Sequence, residues 1–530
     1  MEYKPTIGLE VHVELKTRSK MFCGCLNNPD EKRPNYLICP TCAGHPGTLP
    51  VANEEAIKKV IKTGLALSCK IAQTSKFDRK NYFYPDLPKG YQISQYDMPI
   101  ASNGSLKIKD QNSKIKNIRI RRIHLEEDTG SLLHPVKSSE AGVAPSAQQF
   151  ERVNPDGADP STSLRAGYSL VNLNRAGVPL MELVTEPDLS SGNEARVFAQ
   201  ELQLIFRYLE VSDADMEKGL MRVEVNISLS KSKDLGTKVE IKNLNSFRVV
   251  EKAIDFEIKR QKELLEAGKK VVQETRGWHD KKDLPAEASA QAGITFSQRE
   301  KEEAHDYRYF PEPDLPPLHF NQEYIDKITA EISELPERRR SRFMEEYGLD
   351  EKSVEIFVIN KDLGEYYEKV VSEFDEWLKE NQKLKIKNQN ETSLHKLVAN
   401  YLISDILGIL GVKQFVEKEF KTTPENFAEF IKMIYKNEIS SKVAKMVLAE
   451  MFNTGADPST IVDENNWGQM KDDGELEKII REVIAKNSKA VQDYKSGNAN
   501  AIQFLSGQVM AATRGTADPR KVQKLLNKIL

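Results

Sequence analysis

Residues Ile7-Gly8-Leu9-Glu10-Val11-His12-Val13-Glu14-Leu15 alternate apolar and polar positions, with Glu, His and Glu set between apolar neighbours. A period of two predicts a β-strand with Leu9, Val11 and Val13 toward a core. On the opposite face Glu10, His12 and Glu14 follow one another at about 7 Å, two strand rises apart. Carboxylates in such a row call for a cation. The design recurs from Asn117 to Asp128, where Ile118 and Ile120 are the apolar positions until the pattern slips by one residue and Ile123 and Leu125 take over. That slip predicts a bulge near Arg121. After it, Arg122, His124, Glu126 and Asp128 share the polar face, and Glu127 is directed elsewhere unless the strand ends there. Arg222, Glu224, Asn226 and Ser228 oppose Val223, Val225 and Ile227, and Lys238, Glu240 and Lys242 oppose Val239 and Ile241. Four strands of one design predict an antiparallel sheet with a polar concave side, its apolar side covered by helices over Glu194–Leu209 and Val249–Ala267. Each strand alone reads first as a solvated face. The recurrence of Glu, His, Asn and Arg on one side argues for a lined site.

Helical periodicity also marks Glu54–Leu67, with Cys69 beside it as a core residue. Pro135–Gly167, rich in Ser, Ala, Gly and Pro, reads as a long loop or insertion, and Asn381–Glu391 as an exposed charged loop. Past the proline-rich segment Asp306–Pro317 the character becomes helical, with breaks near Gly348, Gly408 and Gly455. The fold class expected is α+β, with a sheet domain over residues 1–315, a helical domain over 316–410 and a last helical domain over 411–530.

Length fits this division, since 530 residues exceed what one core serves. Charge refines it. The formal net charge of -3 excludes a global basic field, yet Arg481–Leu530 holds nine Lys or Arg against three acidic residues. That end suits nucleic acid, or is simply a solvated basic face. Met1-Glu2-Tyr3-Lys4-Pro5 leads into the first strand with no basic or apolar leader pattern, and no apolar run reaches membrane-spanning length, so a cytoplasmic protein without membrane contact is expected. Four of the five cysteines lie within twenty residues, as Cys23-Gly24-Cys25 and, thirteen residues on, Cys39-Pro40-Thr41-Cys42. Two close thiolate pairs on turn sequence match a closed tetrahedral zinc site of structural type.

Between Phe77 and Asp97 four tyrosines and two phenylalanines stand among Arg79, Lys80, Asn81 and Lys89. Aromatics beside cations suit stacking on bases and holding of phosphates, so this stretch reads as a binding loop. The P-loop, dinucleotide and nucleophile-elbow signatures are all missing from the sequence. Chemistry is therefore expected from the carboxylate face, where hard divalent ions bridge to phosphates and His12 adds a nitrogen ligand or positions a water. The residues alone lead to a metal- and nucleotide-dependent enzyme.

Taken together, the first strand, the Phe77–Asp97 block, Arg122-Ile123-His124-Leu125-Glu126-Glu127-Asp128, Asn174-Arg175-Ala176-Gly177-Val178-Pro179-Leu180, Glu240-Ile241-Lys242-Asn243-Leu244-Asn245-Ser246, Asp306–Leu315 and Gly507-Gln508-Val509-Met510 resemble the B subunits of the tRNA-dependent aspartyl/glutamyl amidotransferases of bacteria and organelles. The resemblance runs along nearly the whole chain. It implies a glutamine-synthetase-like sheet domain, a helical domain and a tail that holds the tRNA elbow. It implies that ATP phosphorylates the side-chain carboxylate of Glu-tRNA(Gln) or Asp-tRNA(Asn), and that ammonia then displaces the phosphate. The ammonia would come from a separate amidase (glutaminase), the A subunit of the same heterotrimer, clamped to this chain by a small C subunit.

By the same resemblance Glu10, His12, Glu127 and Lys80 are catalytic. Magnesium ligands would come from Glu10, His12, Glu126, Glu127, Glu217 and Glu224, and zinc ligands from Cys23, Cys25, Cys39 and Cys42. ATP and substrate contacts would fall on Arg79, Asn81, Tyr82, Tyr84, Ser94, Asn174, Arg175, Asn226, Lys242 and Asn243, and tRNA contacts in the tail on Lys495, Arg514, Arg520 and Lys521. The chain departs from the family pattern at Asn172, where Asp is usual, at Val223-Glu224 in place of Cys-Asp, and at Ser131 in place of Lys. Extra residues lie at 135–167 and 281–292. Two readings from other classes stand beside this one: a non-catalytic zinc-containing RNA-binding module, and a free-standing ATP-dependent amide ligase.

Overall fold

An alternating strand is stable only where partners bury its apolar side. In the computed structural model those partners make a nine-stranded sheet. The structure describes residues 2–109, 114–133, 169–232, 234–279, 294–300, 307–380, 391–411, 415–468, 472–498 and 500–530. The stretches expected as loops or extra residues at 135–167 and 281–292 lie outside the described residues, as does the expected 381–391 loop except for Glu391, which opens the helix Glu391–Asn400. The strands are β1 (Lys4–Glu14), β2 (Lys70–Ile71), β3 (Ala101–Lys109), β4 (Ile115–Glu127), β5 (Pro179–Thr185), β6 (Met221–Ser230), β7 (Val239–Leu244), β8 (Glu274–His279) and β9 (Ile294–Glu300), in the order β9-β8-β7-β6-β1-β5-β4-β3-β2. Neighbours pair antiparallel except β7 and β8, which are parallel.

The apolar side is closed. Leu9, Val11 and Val13 join Ile123, Leu125, Met181, Leu183, Val223, Val225 and Ile241 in one core. Helices α1 (Glu54–Ala66), α2 (Gly192–Tyr208) and α3 (Phe247–Glu266) pack on that core, contributing Val60, Phe198 and Val250 among others. Each starts at a side-chain cap that satisfies free backbone N–H groups: Asn53, Ser191 and Ser246 respectively. The expected bulge is present. Val184 pairs with Arg122 and Thr185 with Ile120, which leaves Arg121 without a ladder partner. Ile118, Ile120, Ile123 and Leu125 all stay buried as a result, and Arg121 reaches Glu186 at 2.9 Å. A second irregularity, between β6 and β7, places Asn243 at φ 62°, a conformation that Asn tolerates better than most residues.

The Phe77–Asp97 block is more ordered than a loop. Asp78–Asn81 and Tyr91–Ser94 pair antiparallel, and Phe310–Pro311 adds a third strand from far along the chain. The first compact unit also continues past the proline-rich segment. Leu318–His319 pairs with Thr74–Ser75, and the helix Gln322–Ala330 packs on α1, so the unit runs from Met1 to Leu335.

The second unit, Pro336–Leu530, is helical throughout its described elements. Tyr366, Tyr367, Phe374 and Phe427 are buried in its first part. Its end has a separate core of Leu476, Ile480, Val483, Leu505, Val509, Val522 and Leu526. Among the described residues no helix is long and apolar enough to cross a membrane.

Candidate active site

Register assembles the polar face. Glu10 of β1 stands opposite Glu224 of β6, and His12 lies between Arg222 of β6 and Glu182 of β5. On its other side Glu182 faces His124 of β4, and Leu180 faces Glu126. His12, Glu182 and His124 therefore cross three strands in one row, with Glu126 one pleat along. His12 Nε2 lies 3.5 Å from Glu10, 3.4 Å from Glu182 and 3.8 Å from Glu126, and His124 Nε2 lies 3.4 Å from Glu182. Donor atoms gather within 4.8 Å of one another in three overlapping sets: Glu10, His12 and Glu182; His124, Glu126 and Glu182; Glu10, Glu224 and Glu240.

Charge is concentrated and poorly hydrated here. Burial, then the carboxylate of Glu182, raises Glu10 to about 7. Burial opposes the charge on His12, but its bond to Glu182 and the facing carboxylates more than offset that and push it up to about 9. Glu182 is buried too, yet His124 and His12 hold it well below the usual carboxylate range. Burial also opposes the charge on Lys80, but Glu126, Tyr309 and Glu182 keep its ammonium above the ordinary lysine value, over the ring of Tyr307 at 5.1 Å. Buried Asn226 Oδ1 and His124 Nδ1 have no hydrogen-bond partner. Carboxylate oxygens and imidazole nitrogens converging within ligand reach, beside unsatisfied polar atoms, are a donor set suited to hard divalent cations.

Not every expected ligand joins. Glu127 is turned off this face by the period of two, one position past Glu126. Its carboxylate accepts the Ile93 N–H at 2.9 Å and pairs with Lys89, beside a cavity lined by Phe22, Cys42, Tyr91 and Gly177. The groups of donor atoms on this face that could hold a cation thus include Glu126 and not Glu127. Glu217 is a second correction: it sits exposed in the turn before β6, where its N–H donates to Asp215 at 2.9 Å, because the polar alternation of β6 starts only at Arg222. Glu14 lies farther along β1, near Asp128 rather than the histidines.

The expected substrate contacts divide between open and committed groups. Lys242 binds Glu224 at 2.8 Å, and Ser94 Oγ donates to Glu126 at 3.3 Å. Asn243 and Tyr84 are exposed. Arg79 is committed to buried Glu312 through two bonds of 2.7 and 2.8 Å, and Asn81 donates to the Arg308 carbonyl at 2.8 Å, so both tie the short sheet to Phe310–Pro311. Tyr82 packs edge-on against Tyr307. Asn174 accepts the N–H groups of Tyr36 and Leu37 at 2.8 and 3.0 Å, and Arg175 pairs with Asp128 at 3.3 Å. Asn172 uses its amide oxygen on the N–H groups of Asn35 and Asn174 and pairs across strands with Ser131, so two of the chain's departures from the family pattern meet each other. In the second unit Lys495, Arg514, Arg520 and Lys521 are exposed.

Cys23, Cys25, Cys39 and Cys42 converge, all as free thiols, with donor atoms within 4.8 Å of one another. The Cys39 and Cys42 sulfurs are 3.9 Å apart, against about 3.8 Å for tetrahedral sulfurs at a Zn–S length near 2.3 Å. The Cys39 N–H points at Cys42 Sγ at 3.2 Å, and a bond from Cys23 together with nearby Lys20 pulls the Cys42 thiol down to about 4. Four sulfurs so placed could close a metal site.

Sequence patterning singles out neither Glu182 nor, as a candidate ligand, His124. The one available signal for Glu182 was its position as the only charged residue in Pro179–Thr185, an otherwise apolar strand directly after the Asn174–Leu180 motif.

Similarity to known proteins agrees with this geometry. A family model described as the GatB/GatE catalytic domain matches residues 5–326, and one described as the GatB domain matches residues 384–530. The B subunit of the aspartyl/glutamyl-tRNA(Asn/Gln) amidotransferase of Thermotoga maritima is 44% identical, with 100% of this chain and 99% of that protein covered. The protein of the same name from Persephonella marina is also 44% identical, over 100% of both chains, and that of Carboxydothermus hydrogenoformans is 43% identical over 99% of this chain and 98% of its own. With both domains matched and relatives alike from end to end, the chain belongs to the family of aspartyl/glutamyl-tRNA(Asn/Gln) amidotransferase B subunits, ligase-type enzymes of translation.

Proposed function

We propose that this chain uses ATP to activate the side-chain carboxylate of glutamate or aspartate carried on tRNA, and that ammonia then converts it to the amide. The observation that carries this reading is the buried row His12–Glu182–His124 flanked by Glu10, Glu126 and Glu224. Magnesium held by those groups would offset the charge of the ATP phosphates and of the acyl phosphate. The γ-phosphoryl group moves to a carboxylate oxygen and ADP leaves. Ammonia nitrogen next bonds to the acyl carbon, the C–O bond to phosphate breaks, and a proton is lost. Lys80 supplies a fixed positive charge facing Glu126, suited to a phosphoryl group in transfer. His12 and His124 orient Glu182, and the Arg222–Asp128–Arg175 chain at 2.7 and 3.3 Å braces the end of the face. Glu127 keeps a catalytic assignment off this face, where it pairs with Lys89.

The remaining assignments come from the family. The sheet unit is glutamine-synthetase-like, the chain works in the cytoplasm, and it assembles with an amidase, the A subunit, that supplies ammonia and with a small C subunit. Its substrates are Glu-tRNA(Gln), Asp-tRNA(Asn) or both, held by a tail over residues 411–530. The four cysteines bind one structural zinc.

ATP turnover tests the central claim. The assembled enzyme is expected to form ADP only with Glu-tRNA(Gln) or Asp-tRNA(Asn) present. Glu182→Gln or Glu126→Gln should lower that rate about a hundredfold, the scale seen when one charge-stabilising group is removed, with tRNA affinity unchanged. Turnover of wild-type size in both variants would sink the assignment. ADP formation with free glutamate alone would favour the free-standing ligase. Metal analysis should find about one zinc per chain, lost in Cys39→Ser.

A further inference from the structure

Lys20 is a buried cation that the mechanism does not use and that, unlike buried Arg276 and Arg339, has no carboxylate among its hydrogen-bond partners. Lys20 is 1% exposed, between the end of β1 and the cysteine arm. A lysine ammonium has three N–H donors, and here all three have partners: the Leu37 carbonyl at 2.7 Å, Cys42 Sγ at 3.6 Å and the Leu173 carbonyl at 3.4 Å. None of the three is a carboxylate. An ammonium taken out of water needs an opposite charge close by. The group that can provide it is the sulfur cluster, since four thiolates around a divalent ion leave a net charge of about -2.

The backbone joins the same parts. The Lys20 N–H donates to the Cys25 carbonyl at 2.9 Å, and the Met21 N–H donates to the Gly177 carbonyl at 2.7 Å. Leu37 lies on the arm before Cys39, and Leu173 on the segment that leads to Gly177. Gly177 has φ 80°, and a Cβ there would lie 3.2 Å from the Cys42 Cβ, 3.7 Å from the Lys20 Cδ and 4.0 Å from Glu127 Oε2. The sulfur cluster is therefore seated, through Lys20 and Gly177, within one side chain of Glu127.

We infer that Lys20 is the charge partner of the four-thiolate site and the clamp that holds the cysteine arm on the segment bearing Gly177. Lys20 is a positioning residue: it acts on the thiolates and touches no reacting atom. This inference rests on the reading of the four cysteines as a metal site.

The test follows release of zinc from the loaded full-length chain to excess chelator, in wild type, Lys20→Met and Lys20→Gln. Metal content of the wild type is measured first. A wild type without metal removes the metal reading and the role of Lys20 with it, whereas a loaded wild type leaves only Lys20 in question. Both variants are expected to lose zinc about 10- to 100-fold faster than wild type, the usual scale for outer-shell partners of a metal site. The cobalt-loaded forms should keep tetrahedral absorption bands, which a merely collapsed site would lose. Glutamine can donate hydrogen bonds but carries no charge, so wild-type release from Lys20→Gln overturns the proposal, as does wild-type release from both. Should neither variant fold, lysine methylation of the wild type replaces them. Lys20 should be inert in the loaded chain and reactive after chelation, with Lys16 unchanged. Equal protection before and after chelation overturns the inference.

Discussion

Glu14 shows how one residue of an alternating face can belong to a different piece of chemistry. It is 9% exposed, and burial followed by the nearness of Asp128 raises its carboxyl to about 8, against the pull of Arg175 and Arg222. Asp128 takes Arg222 at 2.7 Å and Arg175 at 3.3 Å, and Glu14, raised to about 8, keeps its proton at neutral pH. A carboxyl whose folded value exceeds its unfolded one binds an extra proton in the native state. The stability this provides is whole below about pH 4.5 and is lost as pH rises through about 8. Glu14→Gln keeps the shape without a charge to ionise. Thermal unfolding should show the variant gaining on wild type as pH rises from about 4.5 to about 8, with the difference level beyond that. A difference that stays constant across that range would mean that Glu14 is ionised throughout. At this scale the sequence was legible for Glu10, His12, Glu126 and Glu224, each of which repeats with a period that can be counted. It was silent on Glu182, because a single charge in an apolar strand has no period, and misleading on Glu217, which lies outside the strand that would have given it a side.

Elements were legible where a pattern repeats within a few residues and illegible where it closes over distance. The bulge at Arg121 could be read because the apolar positions of β4 change parity there. β5 could not, since as a central strand between β1 and β4 it is buried at nearly every position and reads as an undifferentiated apolar run. The aromatic block looked like a loop because its third strand, Phe310–Pro311, lies some 230 residues away. What positions these elements can be separated from simple backbone strain by two glycines. Gly177 and Gly219 have φ 80° and 76°, but a Cβ on Gly219 would meet nothing within 4 Å, whereas one on Gly177 would press on Cys42. Gly219→Ala should cost about 1–2 kcal/mol, the ordinary penalty of a left-handed L-residue. Gly177→Ala should cost more in denaturant unfolding and should also slow tRNA-dependent ADP formation, through displacement of the arm beside Glu127. Equal costs and equal activities in the two variants would show that the cysteine arm does not bear on the site.

The whole chain distributes its charge unevenly: a net -3 overall, with nine basic against three acidic residues from Arg481 to Leu530. Charge counting found that region, and its proposed role as a tRNA holder comes from the family resemblance. Neither located the compact units, because the proline-rich segment that looked like a boundary is followed by Leu318–His319 and Gln322–Ala330, both of which pack back into the first unit. The structure also decides how the basic end should be tested. A cut after Ala485 would leave Leu476, Ile480 and Val483 without Leu505, Val509, Val522 and Leu526, so any effect on tRNA would be mixed with loss of a core. Replacement of Lys495, Arg514, Arg520 and Lys521 by glutamine changes charge at exposed positions and leaves that core intact. In the assembled enzyme this variant should raise KM for both aminoacyl-tRNAs. It should also flatten the dependence of tRNA affinity on salt by about 0.7 to 0.9 in log–log slope for each phosphate no longer neutralised. Glutamine hydrolysis by the partner amidase measured without tRNA should not change, since it involves no polyanion. An unchanged salt slope would assign the basic residues to solvation alone and leave the tRNA to be held by other surfaces of the enzyme.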